Sequence, residues 1–400
     1  MINPAASGRP PWILPVIVLS QFAGTSLWFA GNAVLGELER EWGLPPDAVG
    51  YVTSAVQFGF ICGTLVFAFF TIADRHSPRI VFFVCSLLGA VANLGTFLAE
   101  PGLAGLLVSR FLTGFFLAGI YPVGMKIAAG WYQRGLGSAI GFLVGALVVG
   151  TAFPHLLKGL GTAVSWQAVT LGVCVTAALG GFAMLRFVPD GPYLARGAAF
   201  DPAALALTFR SPAFRASAFG YFGHMWELYA YWAFVPLVIT AHLALKGMGV
   251  LNVSLWSFWI IAAGFAGCAV GGLASLVFGS ARVAFLQLSA SGLCCALSPF
   301  LFHAPTPLFL AFLLVWGVVV VGDSPQFSAL NAQNAPPSLV GSALTIANCI
   351  GFAISILSIQ LLNALAGSVH PEYLFVPLAI GPILGLLALR PLLKPVAART

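Results

Sequence analysis

Long apolar segments alternate along this chain with short breaks that contain polar residues, glycine or proline. A helix that crosses a bilayer needs about 20 mainly apolar residues, and each segment has roughly that length or more. The pattern predicts twelve spanning α-helices, over residues 12–35, 47–72, 80–98, 103–131, 136–159, 166–187, 215–243, 252–279, 282–302, 306–331, 338–365 and 373–391. We therefore expect an all-α integral membrane protein.

Charged residues make up only 7% of the 400 residues, and hydrophobic residues make up 60%. An ordinary soluble domain carries about 25% charged residues, so this chain cannot cover a water-facing surface and lipid must surround it. The seven cysteines lie within the apolar segments, and their spacing indicates small buried side chains rather than a disulfide set or a metal site. No cofactor or metal ion is expected.

The polar remainder of the chain is too small for a soluble catalytic domain. The sequence contains no H-E-x-x-H motif, nucleophile elbow or phosphate-binding glycine loop. Its net charge of +6 is spread over several loops rather than gathered in a basic tract of the kind that binds nucleic acid. We expect neither an enzyme nor a nucleic-acid-binding protein.

The basic residues outside the apolar segments are distributed unequally between the two sides. With an even number of helices both termini share one side, whose loops hold twelve Lys and Arg residues against three opposite. The twelve are Arg9, Arg75, Arg79, Arg134, Arg186, Arg196, Arg210, Arg215, Arg282, Arg390, Lys394 and Arg399, and the three are Arg40, Lys158 and Lys246. The positive-inside rule places both termini in the cytoplasm, with the chain in the cell's inner (cytoplasmic) membrane. Glu37, Glu39 and Glu41 are then extracytoplasmic.

A polar, proline-containing stretch at the centre of the chain predicts two halves. We assign residues 1–187 to an N-terminal six-helix bundle, 188–214 to a cytoplasmic central loop and 215–400 to a C-terminal six-helix bundle. An internal repeat supports this division, because residues of the fourth and fifth helices recur in the tenth and eleventh at an offset of 203 or 204. They are Gly114, Gly119, Pro122, Gly137 and Ser138, matched by Gly317, Gly322, Pro325, Gly341 and Ser342. Such copies suit halves that rock about a central site.

Two short motifs resemble those of the major facilitator superfamily. Between the second and third helices, FTIADRHSPRIVFF places Asp74, Arg75 and Arg79 as the family's loop signature places one acidic and two basic residues. Phe70 stands where the family usually has its first glycine, and Ser77 and Pro78 replace a glycine and an arginine. In the fourth helix, SRFLTG is similar to the family's pattern of an arginine followed four residues later by a glycine. With the helix count and the repeat, the resemblance covers nearly the whole chain.

This resemblance implies a secondary transporter with twelve helices in two pseudo-symmetric six-helix bundles. It also implies that the first, fourth, seventh and tenth helices line a central cavity, and that Asp74, Arg75 and Arg79 form a cytoplasmic gate. Ordinary positive-inside charge is the alternative explanation for the two arginines. The glycine-rich fifth-helix pattern of the family's exporters is not properly present in GFLVGALVVGTAFPHLL, which disfavours drug efflux.

Ionisable residues well inside the predicted spans concentrate in three of those cavity helices: Arg110 and Lys126 in the fourth, His224 and Glu227 in the seventh, and Asp323 in the tenth. Each costs at least about 2.5 kcal/mol at the bilayer centre, so such residues usually face a cavity or a partner. Glu227 lies close to the midplane, where burial favours the neutral form and suits a proton carrier. Pairing of Glu227 with a basic residue and plain packing of His224 remain open alternatives.

The remaining candidates complete a predicted binding site. Gln326 lies one turn after Asp323, and Pro325 frees a backbone carbonyl near them. On a straight helix Arg110 and Lys126 lie roughly 160° apart, so both face the cavity only if Pro122 bends the helix. We rank Arg110 first, since the Lys126 stem can extend toward the surface. Five further residues could line the site or anchor the helices in the bilayer: Trp28, Asn32, Trp226, Tyr229 and Tyr231.

Charges of both signs in one cavity favour proton-coupled uptake of a small anionic or zwitterionic organic solute by alternating access. In this hypothesis Glu227 carries the proton and Arg110 attracts the substrate. The alternative is proton-driven efflux of a drug-like compound or metabolite. The expected partners are the solute, protons and the lipid bilayer, and the expected state is a monomer.

Overall fold

In the computed structural model, the described residues are 10–98, 101–132, 136–161, 164–194, 201–202, 204–247 and 251–393. Part of the predicted central loop lies outside these ranges. So do five of the basic residues used to predict the topology: Arg9, Arg134, Arg196, Lys394 and Arg399.

Twelve helices among these residues are long and apolar enough to span a membrane, as the sequence predicts. We number them α1 to α12: Ile13–Trp42, Ala48–Phe69, Pro78–Leu98, Leu103–Trp131, Ala139–Gly159, Trp166–Phe187, Pro212–Lys246, Val253–Phe278, Ser280–Phe302, Thr306–Asn334, Pro337–Leu365 and Pro371–Leu393. Two short helices, Ile72–Arg75 and Ala204–Thr208, lie outside the spans. The protein is therefore an all-α, multi-pass membrane protein.

Helix α1 extends seven residues beyond its predicted end at residue 35. It consists of Ile13–Thr25 and Ala30–Trp42, and Glu37, Glu39 and Glu41 belong to its second part. That part is amphipathic, because Val34, Leu35 and Leu38 are buried on one face. Two glutamates of the run have partners: Lys158 binds the Glu37 carboxylate, and Nε1 of Trp166 donates to Oε2 of Glu41 at 2.8 Å. The acidic run is thus helical.

Prolines break α4 and α10 at matching places. Helix α4 consists of Leu103–Leu117 and Tyr121–Trp131, and Pro122 stands in the first turn of the second part. Helix α10 consists of Thr306–Gly322 and Ser324–Asn334, and Pro325 stands in the corresponding turn. Proline lacks the N–H that a continuous helix needs at this position but fits a first turn.

The chain divides into two compact units. The first is Met1–Ala199 with Asn252–Ala262, and the second is Phe200–Leu251 with Ala263–Thr400. Within each unit, glycines let helices approach backbone to backbone. A Cβ atom on Gly59 of α2 would overlap the carbonyl oxygen of Phe111 in α4, and one on Gly267 of α8 would overlap that of Val318 in α10.

The segment that follows α6, residues 189–194, is attached to the end of α4. Nε1 of Trp131 donates to the carbonyl oxygen of Pro189 at 2.9 Å, and the backbone N–H of Tyr193 donates to that of Gly130 at 2.9 Å. The Ser77 hydroxyl, between α2 and α3, donates to Oδ1 of Asp190 at 2.8 Å. The start of the predicted central loop therefore belongs to the first unit.

Candidate functional site

Glu227 lies in the middle of α7, with only 1% of its surface exposed. Three donors converge on its Oε1 atom: the Ser291 hydroxyl, Nε1 of Trp316 at 2.7 Å and the Cys295 thiol at 3.4 Å. Ser291 and Cys295 lie one turn apart on α9, and Trp316 lies on α10. No described lysine, arginine or histidine makes an ion pair with Glu227. Among the described residues, Glu227 thus has no basic partner of the kind considered as the alternative.

His224 and Asp323 contact each other at the break in α10. Nδ1 of His224 lies 2.8 Å from Oδ1 of Asp323, and both side chains are almost completely buried. Asp323 separates the two parts of α10, where its side chain can reach α7. His224 is one turn from Glu227 along α7 but has a different partner. Glu227 and Asp323 are therefore held by different helices and different kinds of donor.

The carbonyl oxygen that Pro325 frees has a partner within the protein. It belongs to Val321, and the thiol of Cys268 in α8 lies 3.4 Å from it. Gln326, one residue after the proline, is buried with 3% exposure. The ring of His224 lies beside that of Phe327, with centroids 5.9 Å apart. The structure thus brings together Asp323, His224 and the start of the second part of α10.

Arg110 is buried in the first unit with neutral partners. Its guanidinium donates to Oδ1 of Asn93 in α3, to the carbonyl oxygen of Leu27 at 3.4 Å and to the Thr113 hydroxyl at 3.3 Å. Nε has no hydrogen-bond partner among the described residues, and no described carboxylate forms an ion pair with Arg110. Arg110 therefore links α1, α3 and α4 while retaining an uncompensated charge.

Lys126, in the second part of α4, contacts a different set of residues. Its ammonium group forms an ion pair with Asp74 and donates to the carbonyl oxygen of Ala73 at 2.8 Å. Both side chains of the pair are about a quarter exposed. The three predicted gate residues differ in environment, because Arg75 is exposed and Nη1 of Arg79 donates to the carbonyl oxygen of Leu185 at 3.3 Å. The break in α4 separates the surroundings of Lys126 from those of Arg110.

The five predicted wall residues are largely engaged in packing. Trp28 lies against Phe60, with ring centroids 4.9 Å apart, and Nδ2 of Asn32 donates to the Thr53 hydroxyl at 2.7 Å. In the second unit, Trp226 donates to the carbonyl oxygen of Pro377, Tyr229 packs against Trp232 and Phe352, and Tyr231 stacks on Trp316. Of these five, Tyr231 lies next to Glu227 through its contact with Trp316.

Sequence reasoning missed the neutral partners of the buried charges. Ser291 and Cys295 belong to a row of small polar residues on α9 that recurs every three or four positions, a pattern that could have indicated a polar helix face. Trp316 and Asn93 gave no such signal. Several further buried side chains carry polar atoms that lack a hydrogen-bond partner among the described residues, and Gln21, Gln57 and His155 are among them.

The Major Facilitator Superfamily model matches residues 16–359 of this chain. The chain therefore belongs to the Major Facilitator Superfamily, and the family and fold indicate a membrane transporter of a small molecule rather than an enzyme. The protein is similar in structure to the proton:xylose symporter XylE bound to 6-bromo-6-deoxy-D-glucose, with a TM-score of 0.73 over 96% of both chains. Their sequences are 14% identical, so this likeness shows the shared fold.

Two relatives are similar in sequence over part of their length. A D-galactonate transporter of Escherichia coli O6:H1 is 28% identical over 182 residues, which are 45% of this chain and 41% of that protein. A multidrug transporter of Candida glabrata is 29% identical over 181 residues, which are 44% of this chain and 28% of that protein. Each match spans less than half of the relative.

Proposed function

We propose that this transporter couples the uptake of a small anionic or zwitterionic organic solute to proton movement by alternating access. Glu227 carries the proton, and the protein acts as a monomer in the cell's inner (cytoplasmic) membrane with both termini in the cytoplasm. The observation that carries the proposal is a buried carboxyl group whose hydrogen-bond donors are all neutral. The proton:xylose symporter, which has the same fold, supports proton coupling.

The neutral surroundings of Glu227 matter because they allow both of its charge states. A carboxylate that is paired with a buried lysine or arginine leaves that cation uncompensated when it takes up a proton. Glu227 leaves no such cation behind when it is protonated. When it loses the proton, the donors from Ser291, Trp316 and Cys295 stabilise the charge. Asp323 is different, because its partner His224 can itself be charged.

Arg110 supports an anionic group on the substrate. It is a buried cation without a described carboxylate partner, and its Nε donor is unused. An anion that reached it would compensate the charge and accept a hydrogen bond. D-galactonate, the substrate in the name of one relative, carries a carboxylate. Gln21, Gln57 and His155 offer further polar atoms to a hydroxylated solute. In this proposal Asp74, Arg75 and Arg79 act as the cytoplasmic gate.

The test uses purified protein in liposomes with labelled D-galactonate as the probe and an imposed pH gradient, acidic outside. We expect accumulation that collapses with a protonophore and that Glu227→Gln abolishes, while exchange down a solute gradient persists. Glu372→Gln is the matched control, because Glu372 is outside the site and lies 3.6 Å from His303. Accumulation that is indifferent to the gradient would disprove the coupling.

If D-galactonate is not transported, a binding screen tests the proposed substrate class. Thermal denaturation is measured with sugar acids, amino acids, neutral sugars and lipophilic cations. We expect the acids to raise the melting temperature and Arg110→Leu to remove that effect. Stabilisation only by neutral sugars or lipophilic cations would contradict the proposed substrate class.

Export of a drug-like compound is the second candidate, favoured by the similarity to a multidrug transporter. It predicts that cells lacking the protein retain more of a lipophilic dye. It also predicts that liposomes with an acidic interior take up the dye through protein molecules whose cytoplasmic side faces outward. Uptake of sugar acids, without any change in dye retention or dye uptake, would favour proton-coupled solute uptake over export.

A further inference from the structure

The tryptophan that contacts Glu227 is surrounded by three aromatic rings. Its indole ring stacks on Tyr231, with centroids 4.5 Å apart and planes inclined by 29°. Phe375 and Phe312 pack against it with centroids at 5.3 Å and 5.5 Å. The Tyr231 hydroxyl in turn donates to the carbonyl oxygen of Leu313 at 2.9 Å. These contacts fix the direction of the Trp316 N–H, which points at Oε1 of Glu227.

The donors on Glu227 differ in what they can do. The indole N–H of Trp316 can only donate, whereas the Ser291 hydroxyl can donate or accept and the Cys295 thiol is a weak donor. A donor that cannot reverse always favours the oxygen that carries negative charge. Hydrogen bonds to an ionised acceptor are roughly twice as strong as those between neutral groups. Trp316 therefore stabilises the carboxylate more than the carboxylic acid.

Other titratable groups near Glu227 do not supply this stabilisation. On its own helix these are His224, which contacts Asp323, and Tyr231, whose hydroxyl is bound to Leu313. From α9 they are the thiols of Cys294 and Cys295, of which Cys295 donates weakly to Glu227, and from α10 it is Asp323, which contacts His224. Ionisation of Glu227 therefore depends on the oriented dipoles of Trp316 and Ser291.

We propose that Trp316, assisted by Ser291, is a positioning residue that sets the pH at which Glu227 exchanges its proton. The inference rests on the proposed function only in making Glu227 the proton carrier. Trp316 itself contacts neither proton nor solute in this scheme. It orients one oxygen of the carboxyl group and lowers the free energy of the charged form, so that a carboxyl group in an apolar interior can still release a proton.

The test measures the protonation of Glu227 directly and needs no substrate. The infrared carbonyl band of a protonated carboxyl group is recorded against pH in lipid nanodiscs and assigned by its loss in Glu227→Gln. We expect Trp316→Phe, which keeps an aromatic ring but removes the indole N–H, to move the midpoint to higher pH by about one pH unit, the size expected for loss of one hydrogen bond to a charged group. Ser291→Ala has an effect in the same direction, and Ser291→Thr, which keeps the hydroxyl, restores the original midpoint.

Trp166→Phe is the matched control, because its indole N–H donates to a different glutamate, Glu41. It leaves the Glu227 midpoint unchanged. If Trp316→Phe does not fold, Ser291→Ala with its Thr rescue carries the test. If neither Trp316→Phe nor Ser291→Ala changes the Glu227 midpoint, the inference is overturned. If the midpoint shifts but solute uptake does not depend on the pH gradient, the inference about Trp316 is upheld and the proposed function is refuted.

Discussion

Helices α4 and α10 have the same backbone plan but different charges. Both are interrupted just before a proline, Pro122 in one and Pro325 in the other, 203 positions apart. At that same offset, Ile120 of α4 corresponds to Asp323 of α10, and Arg110 corresponds to Leu313. The two helices share the proline that shapes the backbone, and they differ in the residues that carry charge. The repeat therefore preserves helix packing while each unit holds its own ionisable groups.

The turns that precede α3 and α9 show a related difference. Thr71 and Gly279 each have a positive φ, of 49° and 82°. Glycine adopts such angles without a steric penalty, whereas threonine has a branched side chain that opposes them. The two residues also differ in ψ, which is 40° for Thr71 and 148° for Gly279, so of the two only Thr71 has the left-handed helical conformation. The resemblance expected a glycine at Phe70, and the left-handed residue lies one position later.

The largest expected effect tests the shared packing. Gly59→Ala and Gly267→Ala each place a methyl group against a backbone carbonyl, and each should lower the free energy of unfolding by about 1–3 kcal/mol. Thermal denaturation in detergent measures it. Gly341→Ala, where a Cβ meets nothing within 4 Å, is the control. A large effect in one unit alone would show that the two packings are not equivalent.

The next prediction tests the difference in charge. Arg110→Leu gives α4 the residue of α10 and leaves Oδ1 of Asn93 without its donor, which should cost about 1–3 kcal/mol. Asn93→Leu should also destabilise the protein, because it leaves the guanidinium with weaker partners. The double variant should lose less than the sum of the two single losses. Additive losses would mean that the contact contributes little.

Exchanging the turn residues has a smaller expected effect. Thr71→Gly should raise the free energy of unfolding by about 1 kcal/mol, because it removes the strain of a left-handed threonine. Gly279→Thr should lower it. Chemical denaturation of both variants provides the measurement, and a loss of stability in Thr71→Gly would show that the threonine hydroxyl, which donates to the carbonyl oxygen of Phe70, outweighs the strain.

The smallest expected effect concerns the ion pair of α4. Lys126→Ala gives this helix the residue of α10, Ala329, and breaks a pair that is about a quarter exposed. Such pairs contribute about 1 kcal/mol or less, and salt screens them. We expect a small loss of stability that shrinks further at high ionic strength. A loss that is large and independent of salt would indicate a structural role for the Lys126 contact with Ala73.

The sequence predicted the spans well because each apolar run is long and clearly bounded. The predicted end of α1 was too early, because Glu37, Glu39 and Glu41 resemble a loop. The apolar residues Val34 and Leu38, four positions apart, nevertheless form one buried face of a helix. The sequence identified Arg110, His224, Glu227 and Asp323, since a charge in an apolar run is conspicuous, but it did not single out the buried His155 and His242. It could not identify their partners, because Asn93, Ser291 and Trp316 lie on other helices. Only packing in three dimensions brings such neutral groups to a charge.

The hydrogen bonds of residues 189–194 determine where this chain tolerates cutting. A protease site or a fused reporter placed there would compete with Trp131 and Gly130 for the same backbone groups and would loosen the end of α4. A break placed beyond Leu194 spares these bonds.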